Sequence, residues 1–189
     1  MGGDMKDYFR FPVVPAVRED TQIQKVLTSK ATSVFLLTGD IMELQQVIQL
    51  FHSTNKYVFL HIDLVKGLGK DEAALKFLKV QLKADGVITT KGNLVSFAKK
   101  IDLVPIQRIF LLDSQSLTTG IQQAKSHCPD YIEVLPGLLP DLIKRIREET
   151  KIPVITGGLV KTIGQIKEAL SNGAIAVSTS EESLWNISL

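Results

Sequence analysis

Eight short β-rich runs end at near-regular intervals along this chain, close to residues 17, 39, 64, 90, 114, 137, 158 and 180. The runs are VVPAV (13–17), SVFLLTG (33–39), YVFLHIDL (57–64), GVITT (86–90), RIFLLDS (108–114), YIEVLPG (131–137), IPVITGG (152–158) and AIAVSTS (174–180). An interval of about 23 residues holds one strand, one helix and two short connections. Amphipathic stretches fill the gaps. MELQQVIQLFHS (42–53), DEAALKFLKVQL (71–82) and PDLIKRIREET (140–150) place apolar residues three and four apart, the helical spacing. Pro140 suits the first position of a helix, and Asn172-Gly173 suits the end of the seventh. Eight such units joined by right-handed crossovers close into a small TIM-like (β/α)8 barrel of parallel strands. An open doubly wound sheet is the competing α/β arrangement, but its usual five or six strands would leave two runs unplaced.

The whole chain, 1–189, reads as one barrel domain with residues 1–12 as an N-terminal extension. Met5 is expected to be the natural start, with residues 1–4 added in cloning. Hydrophobic residues make up 44% and charged residues 22%, the balance of an ordinary water-soluble domain. No apolar run approaches the roughly 20 residues that span a bilayer, and MGGDMKDYFR has no apolar stretch of signal-peptide type. The single Cys128 cannot form an internal disulfide, which fits a reducing, cytoplasmic location. A net charge of +2 does not announce a nucleic-acid binder, although a local basic patch remains compatible with it. The oligomeric state is left open.

In a parallel barrel the C-terminal strand ends carry the site. Here those ends hold Arg18 and Glu19, Asp40, Asp63 and Lys66, Thr89 to Lys91, Asp113 and Ser114, Glu133 with Pro136 and Gly137, Gly157 and Gly158, and Ser178 to Ser180. The strand starts are plainer. His61, Asp63 and Glu133 stand inside otherwise apolar runs. Strand alternation puts Phe59, His61 and Asp63 on one face, and sends Ile132 and Val134 outward if Glu133 points inward. Buried carboxylates need partners; His61, Lys66, Lys91 and Arg108 are candidates. These residues suit either a ligand head-group site or an internal salt-bridge network. A metal site from His61, Asp63 and Glu133 has no close-spaced ligand motif behind it.

The seventh and eighth strands end in Gly157-Gly158 and Ser178-Thr179-Ser180, where larger apolar residues would pack better. The loops after these two strands are the usual phosphate site of the architecture. Glycines let backbone N–H groups approach an anion, and the hydroxyls add donors. Glu181 and Glu182 are expected to open a short last helix whose N-terminus favours an anion. A Gly-Gly pair alone would also serve a tight turn.

VPAVRE (14–19), LHIDLVKGLGKDEAALKFL (60–78), ADGVITTKGN (84–93), IQRIFLLDS (106–114), YIEVLPG (131–137), IPVITGGL (152–159) and GAIAVSTSEESLW (173–185) together resemble the glycerol-3-phosphate-responsive antiterminators, regulators of bacterial glycerol-uptake operons. The resemblance covers almost the whole chain. It departs from the family pattern at Thr156, where Ala is common before Gly-Gly. It implies a barrel fold, a cytoplasmic transcription regulator, glycerol 3-phosphate as ligand and the leader mRNA of glycerol-utilisation genes as partner, with no cofactor, no metal and no catalysis. The phosphate would then lie on Gly157, Gly158, Ser178, Thr179 and Ser180. The rest of the ligand would meet Asp63, Lys66, Glu133, His61, Asp113 and Lys91. The residues themselves show no RNA-binding module of recognised type. Lys99-Lys100 and Lys144-Arg145-Arg147 also suit solvated helix faces. Two alternatives stay open: a small barrel enzyme acting on a phosphorylated three-carbon or sugar substrate, and a phosphate-ligand-binding protein without RNA contact.

Overall fold

The computed structural model describes residues 7–189, so the expected start at Met5 lies outside the described residues. Its eight strands are β1 (Val13–Val17), β2 (Ser33–Leu36), β3 (Tyr57–His61), β4 (Gly86–Thr89), β5 (Val104–Phe110), β6 (Tyr131–Leu135), β7 (Val154–Gly157) and β8 (Ala174–Thr179). They pair in sequence order, all parallel, and β8 returns to β1 to close the barrel. The helices are α1 (Ile23–Leu27), α2 (Leu44–Ser53), α3 (Glu72–Val80), α4 (Gly92–Lys100), α5 (Ser114–His127), α6 (Pro140–Thr150) and α7 (Ile163–Ser171). Pro140 is the first residue of α6, and Gly173 follows the end of α7 with φ +96°, as their sequence positions suggest.

Alternation along each strand divides the buried side chains into two clusters. The larger lies between sheet and helices and takes Val34, Val58, Ile132, Val134 and Val177. The smaller fills the barrel itself, with Val14, Phe35, Phe59, Ile88, Ile106, Ile155 and Ala176. Phe9 joins this inner cluster from the segment before β1. It stacks on Phe59 at 5.5 Å and meets the edge of Tyr131 at 5.0 Å, while Tyr8 packs edge-on against Tyr57 at 4.7 Å. The supposed N-terminal extension thus supplies an aromatic stopper at the end of the barrel where the strands begin.

Several strands end two or three residues before the expected runs do, β2 at Leu36, β3 at His61 and β6 at Leu135, and two elements differ more deeply. β5 begins at Val104, four residues before the expected Arg108, and ends at Phe110 rather than Ser114. Pro105 is a local signal against a strand here, since proline cannot donate to a ladder. Pairing with β4 on one side and β6 on the other overrides that local signal. The expected last helix is only a three-residue 3-10 turn, Glu182–Leu184. Trp185 closes that corner instead. It is fully buried, and its indole N–H donates to the Thr179 carbonyl at 2.9 Å. So short a turn sums almost no macrodipole, and the anion role expected of its N-terminus does not follow.

Candidate functional site

A cavity of about 640 Å3 opens at the end of the barrel where the strands finish. β1, β7 and β8 bring Arg18, Gly158, Lys161 and Ser178 to Ser180 to one side of it. β5 and β6 bring Arg108 and Glu133 to its floor, and Leu64, Phe110 and Leu159 form part of the rim. The strand-end glycine and hydroxyl residues singled out in the sequence therefore meet Glu133 in one place.

The floor is a closed polar network. Arg108 Nε donates to Glu133 Oε2 at 2.7 Å, and Ser178 Oγ donates to Glu133 Oε1 at 2.7 Å. Glu133 is fully buried, so its charge needs these two donors. Gly157 does not line the cavity. A Cβ there would come within 1.9 Å of Ser178 Oγ, so its missing side chain is what lets Ser178 reach Glu133. Gly158 adopts a left-handed φ of +74°, where larger residues are strained, and its carbonyl accepts from the Gly137 N–H at 3.1 Å. The Thr179 hydroxyl donates to the Val160 carbonyl at 2.8 Å and accepts from the Glu181 N–H at 3.0 Å, fixing the two loops to each other. Of the three hydroxyls, that of Ser180 makes no side-chain hydrogen bond among the described residues.

Asp63 and His61 form a second cluster beside Leu64. β3 ends at His61, and Ile62–Leu64 make a 3-10 turn, so Asp63 does not continue the strand as expected. The turn still folds Asp63 back toward His61, with Oδ2 3.9 Å from Nδ1. Both atoms are buried and neither has a hydrogen-bond partner among the described residues. Lys70 and Lys91 each place Nζ 3.9 Å from Asp63 Oδ1. Lys66, expected to offset this carboxylate, instead joins its backbone to the Asp40 segment. Burial, reinforced by the Arg108 guanidinium and opposed by Asp63, pulls the His61 imidazole down to about 4, so the ring is neutral at pH 7. Neither His61 nor Asp63 lines the cavity, and no group of three or more potential metal ligands is gathered among the described residues.

Asp113 has a structural task. It caps α5, accepting from the Ser116 N–H at 2.8 Å, and that bond together with the Ser116 hydroxyl holds its carboxyl below the usual range. It faces a separate groove of about 440 Å3, which shares Arg108 and Phe110 with the cavity. The sequence reading placed it among the ligand residues because the early end of β5 was hidden. Conversely, Arg18 and Lys161 were not assigned to the ligand, although they supply exposed positive charge at the cavity. The signal for Arg18 was its position directly after β1.

The fold and sequence recur in known proteins. A solved structure of the glycerol uptake operon antiterminator regulatory protein from Listeria monocytogenes superposes with a TM-score of 0.91 at 34% identity, covering 95% of this chain and 97% of that one. A glycerol uptake operon antiterminator-related protein from Thermotoga maritima gives a TM-score of 0.82 at 34% identity, over 92% of this chain and 96% of that one. In sequence, the uncharacterized protein YgcP of Escherichia coli strain K12 is 31% identical over 176 residues, 93% of this chain and 92% of that protein. The model of the glycerol-3-phosphate responsive antiterminators matches residues 13–185, from the first residue of β1 to the buried Trp185. A barrel assembled in this order, with this match from end to end, belongs to the glycerol-3-phosphate responsive antiterminator family.

Proposed function

We propose that the protein senses glycerol 3-phosphate in the cavity at the strand ends and, with that ligand bound, holds the leader mRNA of glycerol-utilisation genes so that transcription passes the terminator. The carrying observation is the convergence of Gly158, Ser180, Arg18 and Lys161 over the Arg108–Glu133 pair in one cavity. Its volume falls in the usual range of small-molecule sites, roughly 300 to 1,000 Å3. The phosphate would take backbone N–H groups of Gly158 and Ser180, with the two cations balancing its charge. Glu133, already anchored from two sides, would accept from a ligand hydroxyl with a remaining lone pair. Asp63 lies just behind the rim residue Leu64 rather than in the cavity wall, so its carboxylate would have to turn inward on ligand binding to accept from the second hydroxyl, with Lys91 balancing its charge. The protein would act in the cytoplasm as one barrel domain and would not turn its ligand over. Glu133 is tied to donors rather than free to exchange protons, which suits reading a ligand better than transforming it.

Calorimetry with glycerol 3-phosphate, glycerol and inorganic phosphate tests the ligand. Glycerol 3-phosphate is expected to bind at least tenfold more tightly than either fragment. Equal affinity for phosphate and glycerol 3-phosphate would remove the hydroxyl contacts from the reading. Prolonged incubation followed by NMR is expected to return the ligand unchanged; a product would make the protein an enzyme.

A further inference from the structure

At the opposite end of the barrel, beside the starts of β7 and β8, lies a second groove of about 610 Å3. Lys144 and Arg147 line it from α6 and Lys151 from the residue just after it, with Glu148 as its one carboxylate, and Ser171 to Gly173 line it from the end of α7. Lys144 and Arg147, three residues apart, share one stripe of α6, and Lys151, in the left-handed conformation that ends the helix, brings a third cation to the same groove. They spread over about 10 Å at 1.5 Å per residue, roughly the length of three steps of a nucleic-acid strand. All three are exposed, and none forms an ion pair among the described residues. The neighbouring Arg145 and Lys125 are, by contrast, both engaged by Glu149. Gly173 leaves room for the arginine: a Cβ there would stand 2.9 Å from Arg147 Nη1.

Helix ends supply a competing explanation for such charges, since lysine and arginine favour the negative end of a helix. Two helices end here, α6 and α7, contributing about one half of a negative charge each. With Glu148 that makes about two negative charges against three cations, so a positive surplus remains for a partner. The lining is polar apart from Ile152, Pro153 and Ile175, which argues against an apolar protein surface. α6 also links the groove to the cavity. The loop before it is bonded to Gly158 through Gly137, and a Cβ at Gly137 would meet Val160 Cγ2 at 2.9 Å.

We propose that this α6–α7 groove is the surface that holds the phosphodiester backbone of the RNA, at the far end of the barrel from the ligand. This rests on the RNA-binding reading given above. Ligand and transcript then do not compete for space, and α6 is the element they share.

The test is fluorescence anisotropy with labelled poly(U) RNA, titrated against salt in the presence of glycerol 3-phosphate. The full chain is compared with a Lys144→Ala, Arg147→Ala, Lys151→Ala variant. The variant is expected to lose at least tenfold in affinity. Its log K against log salt should be shallower by about two, at roughly 0.7 per cation for a single strand. A Lys144→Glu, Lys151→Glu variant, which keeps Arg147 against Gly173, should lose at least as much if the triple change unsettles the fold. Lys76→Ala, Lys100→Ala, on the α3–α4 side, should leave binding unchanged. If the full chain binds and both groove variants match it, the RNA surface lies elsewhere and the groove is overturned alone. If the full chain binds no RNA at low salt, with or without glycerol 3-phosphate, the RNA reading and the groove fall together. Binding of labelled polyglutamate, lost in the groove variants, by a chain that binds no poly(U) would identify an acidic protein as the occupant and overturn the proposal.

Discussion

Arg108 and Glu133 stand opposite each other in the β5–β6 register, and their side chains meet at 2.7 Å inside the barrel. Side-chain exposure is 6% for the arginine and 1% for the glutamate, so water does little to stabilise either charge alone. Removing one partner should therefore cost far more than removing both. Arg108→Leu is expected to destabilise the fold by about 3 to 5 kcal/mol, and Arg108→Leu with Glu133→Leu by clearly less. Urea denaturation of the three proteins decides the matter. A double variant no more stable than the single one would show that the pair is not what holds the two charges inside.

His61 gives the fold a pH dependence whose sign is fixed. Its ring takes up a proton near pH 6.5 when unfolded but only near pH 4 when folded. Between those values the unfolded chain carries the extra proton, so stability falls as the pH falls through that window. The limiting slope is about 1.4 kcal/mol per pH unit, and above pH 6.5 the contribution is constant. His61→Gln should flatten this part of the profile in urea denaturation. An unchanged profile would assign the slope to other groups.

Gly158→Val tests the phosphate end of the cavity. The side chain would crowd Leu135, whose Cδ2 lies 3.2 Å from the added Cβ, and would sit at an unfavourable positive φ. Glycerol 3-phosphate affinity should drop at least tenfold, about 1.4 kcal/mol. Because that change also strains the backbone, Arg18→Gln is the companion variant; it should weaken binding in calorimetry without lowering the melting temperature. Unchanged affinity in both proteins would move the phosphate elsewhere.

Asp63→Asn addresses the other end of the ligand. A charge-assisted hydrogen bond contributes roughly 1.5 to 3 kcal/mol. Glycerol 3-phosphate should therefore lose about tenfold or more in affinity, while inorganic phosphate, which has no hydroxyls of this kind, should lose little. Equal losses would make Asp63 a structural residue held by Lys70 and Lys91.

The barrel was legible because its signal repeats: each strand and helix restates the same period, so an error in one element does not alter the whole. Val104 to Gln107 lay outside the expected run; Pro105 carries a local cue against a strand there, and only pairing across two neighbours reverses it. Alternation gave the shared face of Phe59, His61 and Asp63 and set Glu133 opposite Ile132 and Val134, but which face turns inward needed the closed barrel. The partners of Glu133 were harder. Arg108 was one of four candidates, and Ser178 was assigned to an anion, because nothing in a linear chain states that β6 and β8 side chains converge across β7. Lys70 was missed for a similar reason: the 3-10 turn after β3 redirects the chain, and the register of the lysines around Asp63 depends on it.

Phe9, Tyr8 and their aromatic neighbours close the barrel at the end where the strands begin. With the barrel interior filled above them by Phe35, Phe59, Ile88, Ile106 and Ile155, there is no passage through the barrel, and a ligand in the cavity at the strand ends would leave by the route it entered. Anything that narrows that route, such as a bulkier residue at Leu159 or a partner lying across the rim, would slow arrival and departure by the same factor. Occupancy at equilibrium would stay as it was, but the memory of a past exposure to ligand would last longer.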